Sequence, residues 1–530
     1  MRRGVVIVIL FVLSLLPYVV QAQRNDAAVV QLQKLNKVYR HLYGSYVDSV
    51  DMEPLVESGI RAMLEELDPH SVYLDKKEMK SAQEVMEGEF SGIGVEYNIL
   101  HDTIMVVNTV AQGPAESVGI LPNDRIVKID GESVVGIERS DVSPRLRGET
   151  GTVVNVGVVR RGVKEMLNFS ITRDKIPITT VDAAYKIADS VGYIKVNRFG
   201  RTTMQEFEQA MSQLGAVGTL VLDLSNNGGG LLDQAVEMAG YFIPRDSLVV
   251  YTEGRAVEPR YLYAKDGGRF AGELVVMINE ASASGSEIVA GAVQDWDRGL
   301  LVGRDSFGKG LVQSQIPLGD GSAIRLTIAR YHTPSGRVIQ RPYKKGDKES
   351  YHKAYVDRLR SSGADSVQQQ RPAFKTLLLR RDVYADGGIR PDVIVPSDTT
   401  NVSDYMVKVV AKGVYNEFLL DYLDRNRDRL KHSYPTFDHF DKEFYLADEQ
   451  MQRLVEMASA KGVEYDDAGF LQSKELMRTQ LSAMVAQRLF STSEYYQYIN
   501  PRINDSYKKA VLIISEKPKL YDQLLKSHLW

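Results

Sequence analysis

The sequence predicts a multidomain α+β protein in which a strand-rich module precedes an α/β core and helical segments stand at both ends. The chain of 530 residues is too long for a single hydrophobic core. From about residue 176, strands and helices alternate, as in a mostly parallel sheet covered by helices. The stretch before it consists of short β-branched runs separated by glycines, a pattern typical of strands joined by turns.

The chain begins with a pattern typical of a secretory signal peptide. Two arginines precede an apolar run from Val5 to Leu16, and Val20-Gln21-Ala22 then has small residues at the positions that a signal peptidase reads. We expect residues 1–22 to be removed on export to the periplasm or cell envelope. The alternative is an uncleaved membrane anchor, but this apolar run is shorter than the about 20 residues that a span needs.

Composition excludes several classes of site. The chain has no cysteine, which rules out a disulfide framework and a thiol nucleophile. Its eight histidines show no metal-binding spacing, and its formal charge of −4 gives no reason to expect a nucleic-acid partner. We therefore expect neither a metal nor an organic cofactor.

The pattern along the chain divides the part after the signal peptide into four regions. We predict an N-terminal helical region, the strand-rich module, the α/β core and a helical C-terminal domain, at 23–87, 88–175, 176–398 and 399–530. In the strand-rich module the predicted strands are Ile104–Val107, Arg125–Ile129 and Val153–Arg160. Within the core, the polar segment at about 345–372 is predicted to be an excursion over the surface.

Ser284 has the surroundings that a serine nucleophile needs. It lies among small residues between a buried strand, Leu274–Ile278, and the start of a helix. Small neighbours let a substrate backbone approach, and a helix N-terminus supplies free N–H groups and a positive potential. Ser284 followed by Glu287 also fits a capping box, so a purely structural role is the alternative.

Lys309 is the residue best suited to act as a base. It is bracketed by Gly308 and Gly310 and is followed by apolar residues, which predicts a position deep in a site. A free lysine has a pKa of about 10.4, but burial can lower it by several units and leave a neutral amine that accepts a proton. A surface lysine in a glycine-rich turn is the alternative. A phosphate-binding loop is excluded because Gly310 stands where Ser or Thr is required.

Two glycine-rich loops could bind negatively charged groups. The loop Asn226–Gly230 exposes backbone N–H groups that could hold an oxyanion. The segment Gly92-Ile93-Gly94-Val95 could capture a terminal carboxylate while the strand that follows it pairs with a peptide. Either loop, taken alone, is equally explained as a simple turn.

Together these segments resemble the C-terminal processing peptidases, also called tail-specific proteases, over roughly residues 35–396. Residues 282–288 resemble the family motif SASASEI, and residues 306–313 resemble TFGKGxVQ. The resemblance implies that Ser284 is the nucleophile, that Lys309 is the general base and that Gln313 orients the lysine.

The resemblance also implies the fold of each region. Leu67–Ser71 resembles the motif LDPHS, and Gly113–Ile126 is similar to a PDZ sequence. The family's architecture implies a crotonase-like α/β protease core with a PDZ domain placed before it. The segment Gly92–Val95 would then recognise the C-terminal tail of a protein substrate.

Further site residues follow from the resemblance alone. It implies that Asp295 supports the site and that amides near Gly229 and Gly285 form the oxyanion hole. The chain departs from the family at Ser225, where arginine is usual, and at Gly228, where proline is usual. These departures bear on the geometry of the oxyanion loop and leave the nucleophile unaffected.

Other classes of function remain as alternatives. A PDZ scaffold could bind protein C-termini without cutting them or while awaiting an activating adaptor, and the chain could also form a homo-oligomer. Other acyl chemistry on a crotonase-like core is disfavoured, because a small thioester needs no reader of peptide tails. A Ser-His-Asp hydrolase is also disfavoured, because His332 is the only histidine near these motifs and Gly-x-Ser-x-Gly is absent.

Overall fold

A computed structural model describes residues 27–100, 102–360, 371–515, 521–523 and 525. The predicted signal peptide, residues 1–22, lies outside the described residues. Within these described ranges, the helices are all too short or too polar to cross a membrane.

The N-terminal region is mainly helical, as its periodicity predicts. Its elements are α1 (27–45), α2 (Met52–Glu65), β1 (Val72–Leu74) and α3 (Lys76–Glu87). Asp75 and Glu78 form a capping box at the start of α3, which satisfies two of its free backbone donors. The strand β1 was not predicted, and it pairs antiparallel with a strand of the core through Val72 and Leu74.

The strand-rich module is an antiparallel sheet with two short helices. Its elements are β2 (Glu89–Gly92), β3 (Val95–Leu100), β4 (Thr103–Thr109), α4 (Pro114–Ser117), β5 (Arg125–Ile129), β6 (Glu132–Ser133), α5 (Arg139–Leu146), β7 (Val153–Val159), β8 (Leu167–Thr172) and β9 (Asp174–Pro177). The three strands predicted here are confirmed. The sheet order is β3-β4-β5-β7-β8, with β6 beside β5, so β3 is an edge strand.

The α/β core begins after this module. Its elements are β10 (Val181–Ala188), β11 (Val191–Val196), α6 (Thr203–Leu214), β12 (Thr219–Asp223), α7 (Leu232–Phe242), β13 (Leu248–Glu253), β14 (Arg260–Tyr263), β15 (Glu273–Ile278), α8 (Gly285–Asp295), β16 (Leu300–Gly303), β17 (Leu311–Pro317), β18 (Ala323–His332), α9 (Lys348–Arg360), β19 (Ala373–Lys375), β20 (Asp382–Tyr384) and β21 (Val393–Ile394).

Two sheets build the core. The first has the order β10-β11-β12-β15-β16-β21 and is parallel except for the β10–β11 pair. Its central strands β12 and β15 are buried along almost their whole length, which explains their continuous apolar sequences. The second sheet is antiparallel, has the order β1-β18-β13-β14 and carries β17 beside β18. The N-terminal region therefore contributes a strand to the core.

The segment predicted to be a surface excursion contains a helix. Residues 361–370 lie outside the described residues, and the segment before them forms α9, whose residues are mostly exposed or partly buried. The side chain of Tyr351 on α9 is buried, and its ring packs edge-on against His70 and Phe307. The polar composition of the segment hid this contact, because one aromatic side chain anchors the helix.

The C-terminal domain is helical, as predicted. Its helices are α10 (Asp404–Ala411), α11 (Val414–Ser433), α12 (Phe437–Glu443), α13 (Asp448–Ala460), α14 (Asp467–Leu489), α15 (Thr492–Ile503) and α16 (Asp505–Ser515). Helices α10 to α15 enclose a hydrophobic core of their own. Helix α16 instead packs on the parallel sheet, where Tyr507 and Ile513 join a cluster with Val275 and Val302.

The C-terminal domain also contacts the strand-rich module. Leu420 of α11 is buried in a small cluster with Leu100, Met105 and Val107. At the edge of this contact, Arg488 forms a 2.6 Å ion pair with Glu96 of β3. The domain thus packs on the module through one small apolar cluster and on the core through a larger one.

Candidate active site

Ser284 differs from the two serines beside it in what its side chain does. Ser282 and Ser286 are fully buried, and their hydroxyls donate to the carbonyls of Leu224 and Asn227 at 2.8 and 2.9 Å. Ser284 is only partly buried and lies at the N-terminus of α8. Of the three serines, it is the one placed to react with a substrate.

The backbone of Ser284 is strained. Its φ and ψ angles are 53° and −108°, a region that residues with a side chain rarely occupy. Such a conformation costs on the order of 1–3 kcal/mol and persists only where neighbouring contacts enforce it. A strained serine between a strand and a helix resembles the sharp turn that presents the nucleophile in α/β-hydrolases.

Glu287 holds this turn in place. Its Oε2 atom accepts hydrogen bonds from the backbone N–H groups of Ser284 and Lys309, at 2.8 and 2.9 Å. Its Oε1 atom accepts from the Ser306 hydroxyl at 2.5 Å and from the Gly308 N–H at 2.6 Å. The side chain is fully buried, and burial raises the pKa of the Glu287 carboxyl although these donors act against the rise. One carboxylate thus links the loop of Ser284 to the loop of Lys309.

The amine of Lys309 lies in a buried pocket beside Gln313. Lys309 Nζ donates to Gln313 Oε1 at 3.0 Å. Burial lowers the pKa of the Lys309 amine, and the charge of Arg325 lowers it further, while Glu287 and Asp68 act in the opposite direction. A lowered pKa increases the fraction of lysine that is neutral and able to accept a proton near pH 7.

Lys309 lies near Ser284 because the backbone N–H groups of both residues donate to Glu287. This link does not involve their side chains. Among the hydrogen bonds of the described residues, none connects Lys309 Nζ to the Ser284 hydroxyl. In this conformation the amine donates to Gln313. Gly308 in this loop has a φ of 86°, which glycine adopts readily. A larger residue would not fit there, because a methyl group would lie 2.4 Å from Cγ of Arg341.

The turn Leu67–Ser71 completes the pocket, and its role was missed by sequence reasoning. The Gln313 amide nitrogen donates to the carbonyl oxygen of His70. Asp68 holds the turn by accepting from the backbone N–H groups of His70 and Ser71 at 2.9 and 3.1 Å. Burial lowers the pKa of the His70 imidazole to about 4, and the nearby charge of Lys309 adds to this effect. The motif LDPHS was the available signal, but nothing in the sequence indicated which residues it contacts.

Asp295 lies at the other end of α8 from Ser284. Ten residues of helix separate Asp295 from Gly285, which corresponds to about 15 Å at 1.5 Å per residue. Its carboxylate forms a fully buried ion pair with Arg337 and accepts from the backbone N–H of Ser335 at 2.8 Å. Asp295 therefore anchors the loop after β18 and is remote from the nucleophile.

The loop Asn226–Gly230 packs directly against Ser284. Gly229 has a φ of 93°, and a methyl group there would lie 2.7 Å from Cβ of Ser284 and 2.8 Å from the nitrogen of Gly285. In this conformation the Gly229 N–H donates to Oδ1 of Asn227 at 2.9 Å. Gly285 is the first residue of α8, where backbone N–H groups have no partner within the helix. The oxyanion role of Gly229 and Gly285 stays a prediction.

A buried lysine occupies the region of the two sequence departures. Lys195 Nζ lies 3.4 Å from Asp223 Oδ1 and also donates to the carbonyl oxygen of Ser225. Asp223 in turn accepts from the Ser225 N–H at 2.7 Å and from the Tyr193 hydroxyl at 2.7 Å. Lys195 thus provides a cation next to the position where the family usually has arginine. Gly228 has open space around its α-carbon, so a side chain there meets no obstacle.

The predicted tail-binding segment lies at the start of the edge strand β3. Gly92, Ile93 and Gly94 are buried, and Val95 is the first residue of β3. The carbonyl oxygens of Ile93 and Gly94 accept from Ala115 and Val110, both at 2.9 Å, which fixes the loop. An edge strand beside α5 leaves one row of backbone groups for a peptide.

The part of the chain that the structure describes contains no group of acidic residues and histidines that could hold a metal ion.

Profiles of known protein families match four parts of the chain. Peptidase family S41 matches residues 190–349, and a PDZ domain matches residues 105–160. The activating protease CtpB N-terminal domain matches residues 17–78, and a family of unknown function (DUF8443) matches residues 405–491. With the elements above, these matches confirm the predicted fold class: an α/β protease core, a preceding PDZ domain and helical segments at both ends.

Curated relatives cover much of the chain. The carboxy-terminal processing protease CtpB of Bacillus subtilis (strain 168) is 36% identical over 330 residues, which are 61% of this chain and 68% of the relative. The carboxy-terminal-processing protease of Bartonella bacilliformis is 36% identical over 318 residues, 58% of this chain and 73% of the relative. Among solved structures, a photosystem II D1 C-terminal processing protease is 32% identical, with a TM-score of 0.33, and covers 57% of this chain and 83% of its own.

Proposed function

The chain belongs to the carboxy-terminal processing proteases of peptidase family S41, and on that premise we propose that it is a serine endopeptidase with a Ser284/Lys309 dyad. The observation that carries this proposal is the single carboxylate of Glu287, which accepts from the backbone N–H groups of both residues. This shared acceptor supports the proposal because it links a strained, partly exposed serine to a partly buried lysine whose pKa is lowered.

The reaction follows from the chemistry of these two side chains. The Ser284 hydroxyl attacks the carbonyl carbon of the scissile peptide bond while neutral Lys309 accepts its proton. Protonated Lys309 then gives the proton to the leaving amine, and an acyl-enzyme ester remains on Ser284. Water hydrolyses this ester with Lys309 again as the base. Gln313 orients the amine through the 3.0 Å hydrogen bond between them.

Backbone amides of Gly285 and Gly229 are proposed to stabilise the oxyanion. The Gly285 N–H at the start of α8 is favourably placed, because a helix N-terminus carries a positive potential. The Gly229 N–H now donates to Asn227, so this role requires it to exchange that partner for the oxyanion. Loss of one such donor typically raises the barrier by about 2.7–4 kcal/mol.

The PDZ domain is proposed to select substrates by their free C-terminus. Amides of Gly92, Ile93, Gly94 and Val95 would hold the terminal carboxylate, and the free edge of β3 would pair with the extended tail. Substrates of this kind are unfolded or misfolded proteins of the cell envelope, and we propose that residues 1–22 direct the chain there. An activating adaptor and a homo-oligomer are further proposed partners, and no metal or organic cofactor is proposed.

A second candidate function is a gated enzyme or a tail-binding scaffold. It is favoured because, among the hydrogen bonds of the described residues, none joins Lys309 Nζ to the Ser284 hydroxyl, while the amine donates to Gln313. For proton transfer the amine must move to within hydrogen-bond distance of the Ser284 hydroxyl. In a gated enzyme, binding of a tail or an adaptor would bring about this movement.

The test is degradation of an unfolded protein by the purified enzyme without residues 1–22. One substrate carries a free C-terminus, and its matched partner carries the same sequence with an amidated C-terminus. We expect the parent enzyme to degrade the free form much faster and Ser284→Ala to degrade neither. Ser212→Ala, at an exposed serine on α6, provides the serine control. Tail binding without cleavage by the parent enzyme would favour the scaffold or gated enzyme. Equal rates on both substrates would contradict recognition of the terminus.

A further inference from the structure

Several charged groups surround the amine of Lys309. Glu287 faces it from α8, and Asp68 and His70 face it from the turn before β1. The charges of Arg341 and Lys348 also act on His70, and Lys348 Nζ donates to the carbonyl oxygen of Ser71 at 3.2 Å. Arg325 faces Lys309 from β18. These groups decide how much of the lysine is neutral, which is the form that the proposed reaction needs.

The nearby carboxylates already have their own donors. Both oxygens of Glu287 accept two hydrogen bonds each, from Ser284, Lys309, Ser306 and Gly308. Asp68 accepts from His70, from Ser71 and, at 3.0 Å, from the Thr327 hydroxyl. These hydrogen bonds fix both carboxylates in their loops and spread their negative charge over several donors.

The register of the second sheet places Arg325 on the side of the amine. In the β17–β18 pair, Gln313 lies opposite Thr327 and Gln315 lies opposite Arg325. Because side chains alternate along a strand, Arg325 and Thr327 project from the same face as Gln313. Gln313 binds Lys309 Nζ, and Thr327 binds Asp68, so this face carries the pocket of the lysine.

Arg325 is only half-buried, but its positive charge is not neutralised locally. Within the described ranges no carboxylate lies within ion-pair distance of its guanidinium group. Two other arginines of the core do have a carboxylate partner: Arg337 binds Asp295, and Arg304 binds Glu280. An unpaired cation at the edge of a buried pocket acts on a lysine there more strongly than a paired one does.

We propose that Arg325 is a positioning residue that acts through Lys309, because its unpaired positive charge favours the neutral, proton-accepting form of that amine. The inference rests on the proposed function, in which Lys309 is the base. Strand β18 would then contribute to the site in two ways. Thr327 binds Asp68 in the turn before β1, and Arg325 acts on the protonation of Lys309. The lowered pKa of Lys309, to which burial contributes most and Arg325 next, agrees with this geometry.

The experiment compares pH profiles of kcat/KM for the parent enzyme and Arg325→Gln, measured on the same unfolded substrate. Removal of the cation raises the pKa of Lys309, so the acidic limb of the profile moves to higher pH. We expect a shift of roughly 0.5–1 pH unit, or about three- to tenfold lower kcat/KM below the limb, with the plateau at high pH unchanged. Arg325→Lys keeps the charge and is expected to restore the parent profile.

Arg330→Gln is the matched control, because Arg330 is an exposed arginine on the same strand. Its profile is expected to coincide with that of the parent. If Arg325→Gln lowers kcat/KM equally at every pH or raises only KM, Arg325 contacts substrate or stabilises the fold, and the inference is overturned. An unmoved limb with unchanged activity overturns it as well.

Failure of the inference and failure of the proposed function can be told apart. Lys309→Ala is assayed alongside over the same pH range. If Lys309→Ala is inactive and the limb of Arg325→Gln stays in place, the dyad stands and only the tuning role of Arg325 is lost. If Lys309→Ala keeps the parent activity and the parent limb, Lys309 is not the base and both statements fail.

Discussion

The backbone N–H groups of Ser284 and Lys309 donate to the same atom, Oε2 of Glu287, at 2.8 and 2.9 Å. The proposed nucleophile and the proposed base are therefore held by their backbones, and this contact leaves their side chains free to change partner. The shared acceptor explains how the strained backbone of Ser284 persists. It also keeps Lys309 in the site while its amine donates to Gln313.

Glu287→Ala is expected to disrupt both loops together. It leaves four donors without an acceptor, and two of their hydrogen bonds are buried and two partly buried. Each unpaired buried group costs about 1–3 kcal/mol, so we expect the thermal midpoint to fall strongly and activity to be lost. Glu287→Gln keeps the shape but offers one acceptor oxygen, so we expect a smaller loss of stability and a fall in kcat with KM little changed. Calorimetry and steady-state kinetics measure both effects. The exposed Glu237→Gln on α7 is the control, and a Glu287→Gln enzyme with parent kcat would contradict this role.

The pH dependence of activity distinguishes lysine from histidine as the base. Lys309 must be neutral, and its pKa lies below its usual value of 10.5, so kcat/KM rises with pH through that lowered pKa and reaches a plateau. His70 has a pKa of about 4, so it is already neutral across the range in which most enzymes work. We expect His70→Gln to keep this limb where it is. A limb near pH 4 that disappears in His70→Gln would assign the base to histidine.

The contact between the PDZ domain and the C-terminal domain is expected to restrain the PDZ domain. Leu420→Ala removes the side chain that α11 buries against Leu100, Met105 and Val107. Truncation of a buried leucine typically costs about 2–5 kcal/mol, enough to weaken this contact even though the ion pairs Arg488–Glu96 and Arg125–Asp424 remain. Hydrogen exchange should rise in β4 and leave α14 protected. Leu471→Ala is the control, since Leu471 is 61% exposed on α14, and equal exchange in the two variants argues against the restraint.

Lys195 is expected to fix the loop that carries Gly229. Lys195→Met leaves the Asp223 carboxylate without its buried cation, and breaking such a pair typically costs about 3–5 kcal/mol. We predict a lower thermal midpoint together with a reduced kcat, because Asp223 also binds the Ser225 N–H at the start of the loop. The exposed Lys186→Met on β10 serves as the comparison. A variant that loses stability yet keeps parent kcat would show that the pair serves the fold alone.

The sequence predicted the parts of the site whose signals are local. Ser284 stands in a strand–turn–helix pattern and Lys309 between two glycines, and both patterns are visible within ten residues. The contacts of Glu287 with Gly308 and Lys309 were not predictable, because a capping box explains only its contact with Ser284. The bond from Gln313 to His70 joins residues 243 positions apart, and β1 forms only because β18 offers it an edge. Such contacts are created by tertiary packing.

The central claim is that Lys309 activates Ser284. The most direct measurement is kcat/KM of the parent enzyme, Lys309→Ala and Ser284→Ala on one unfolded, tail-bearing substrate at the pH optimum of the parent, with the exposed Lys344→Ala as control. We predict no detectable turnover for Ser284→Ala, a loss of roughly 10²–10⁴-fold for Lys309→Ala and parent activity for Lys344→Ala. A Lys309→Ala enzyme that folds normally and cleaves at the parent rate would contradict the account.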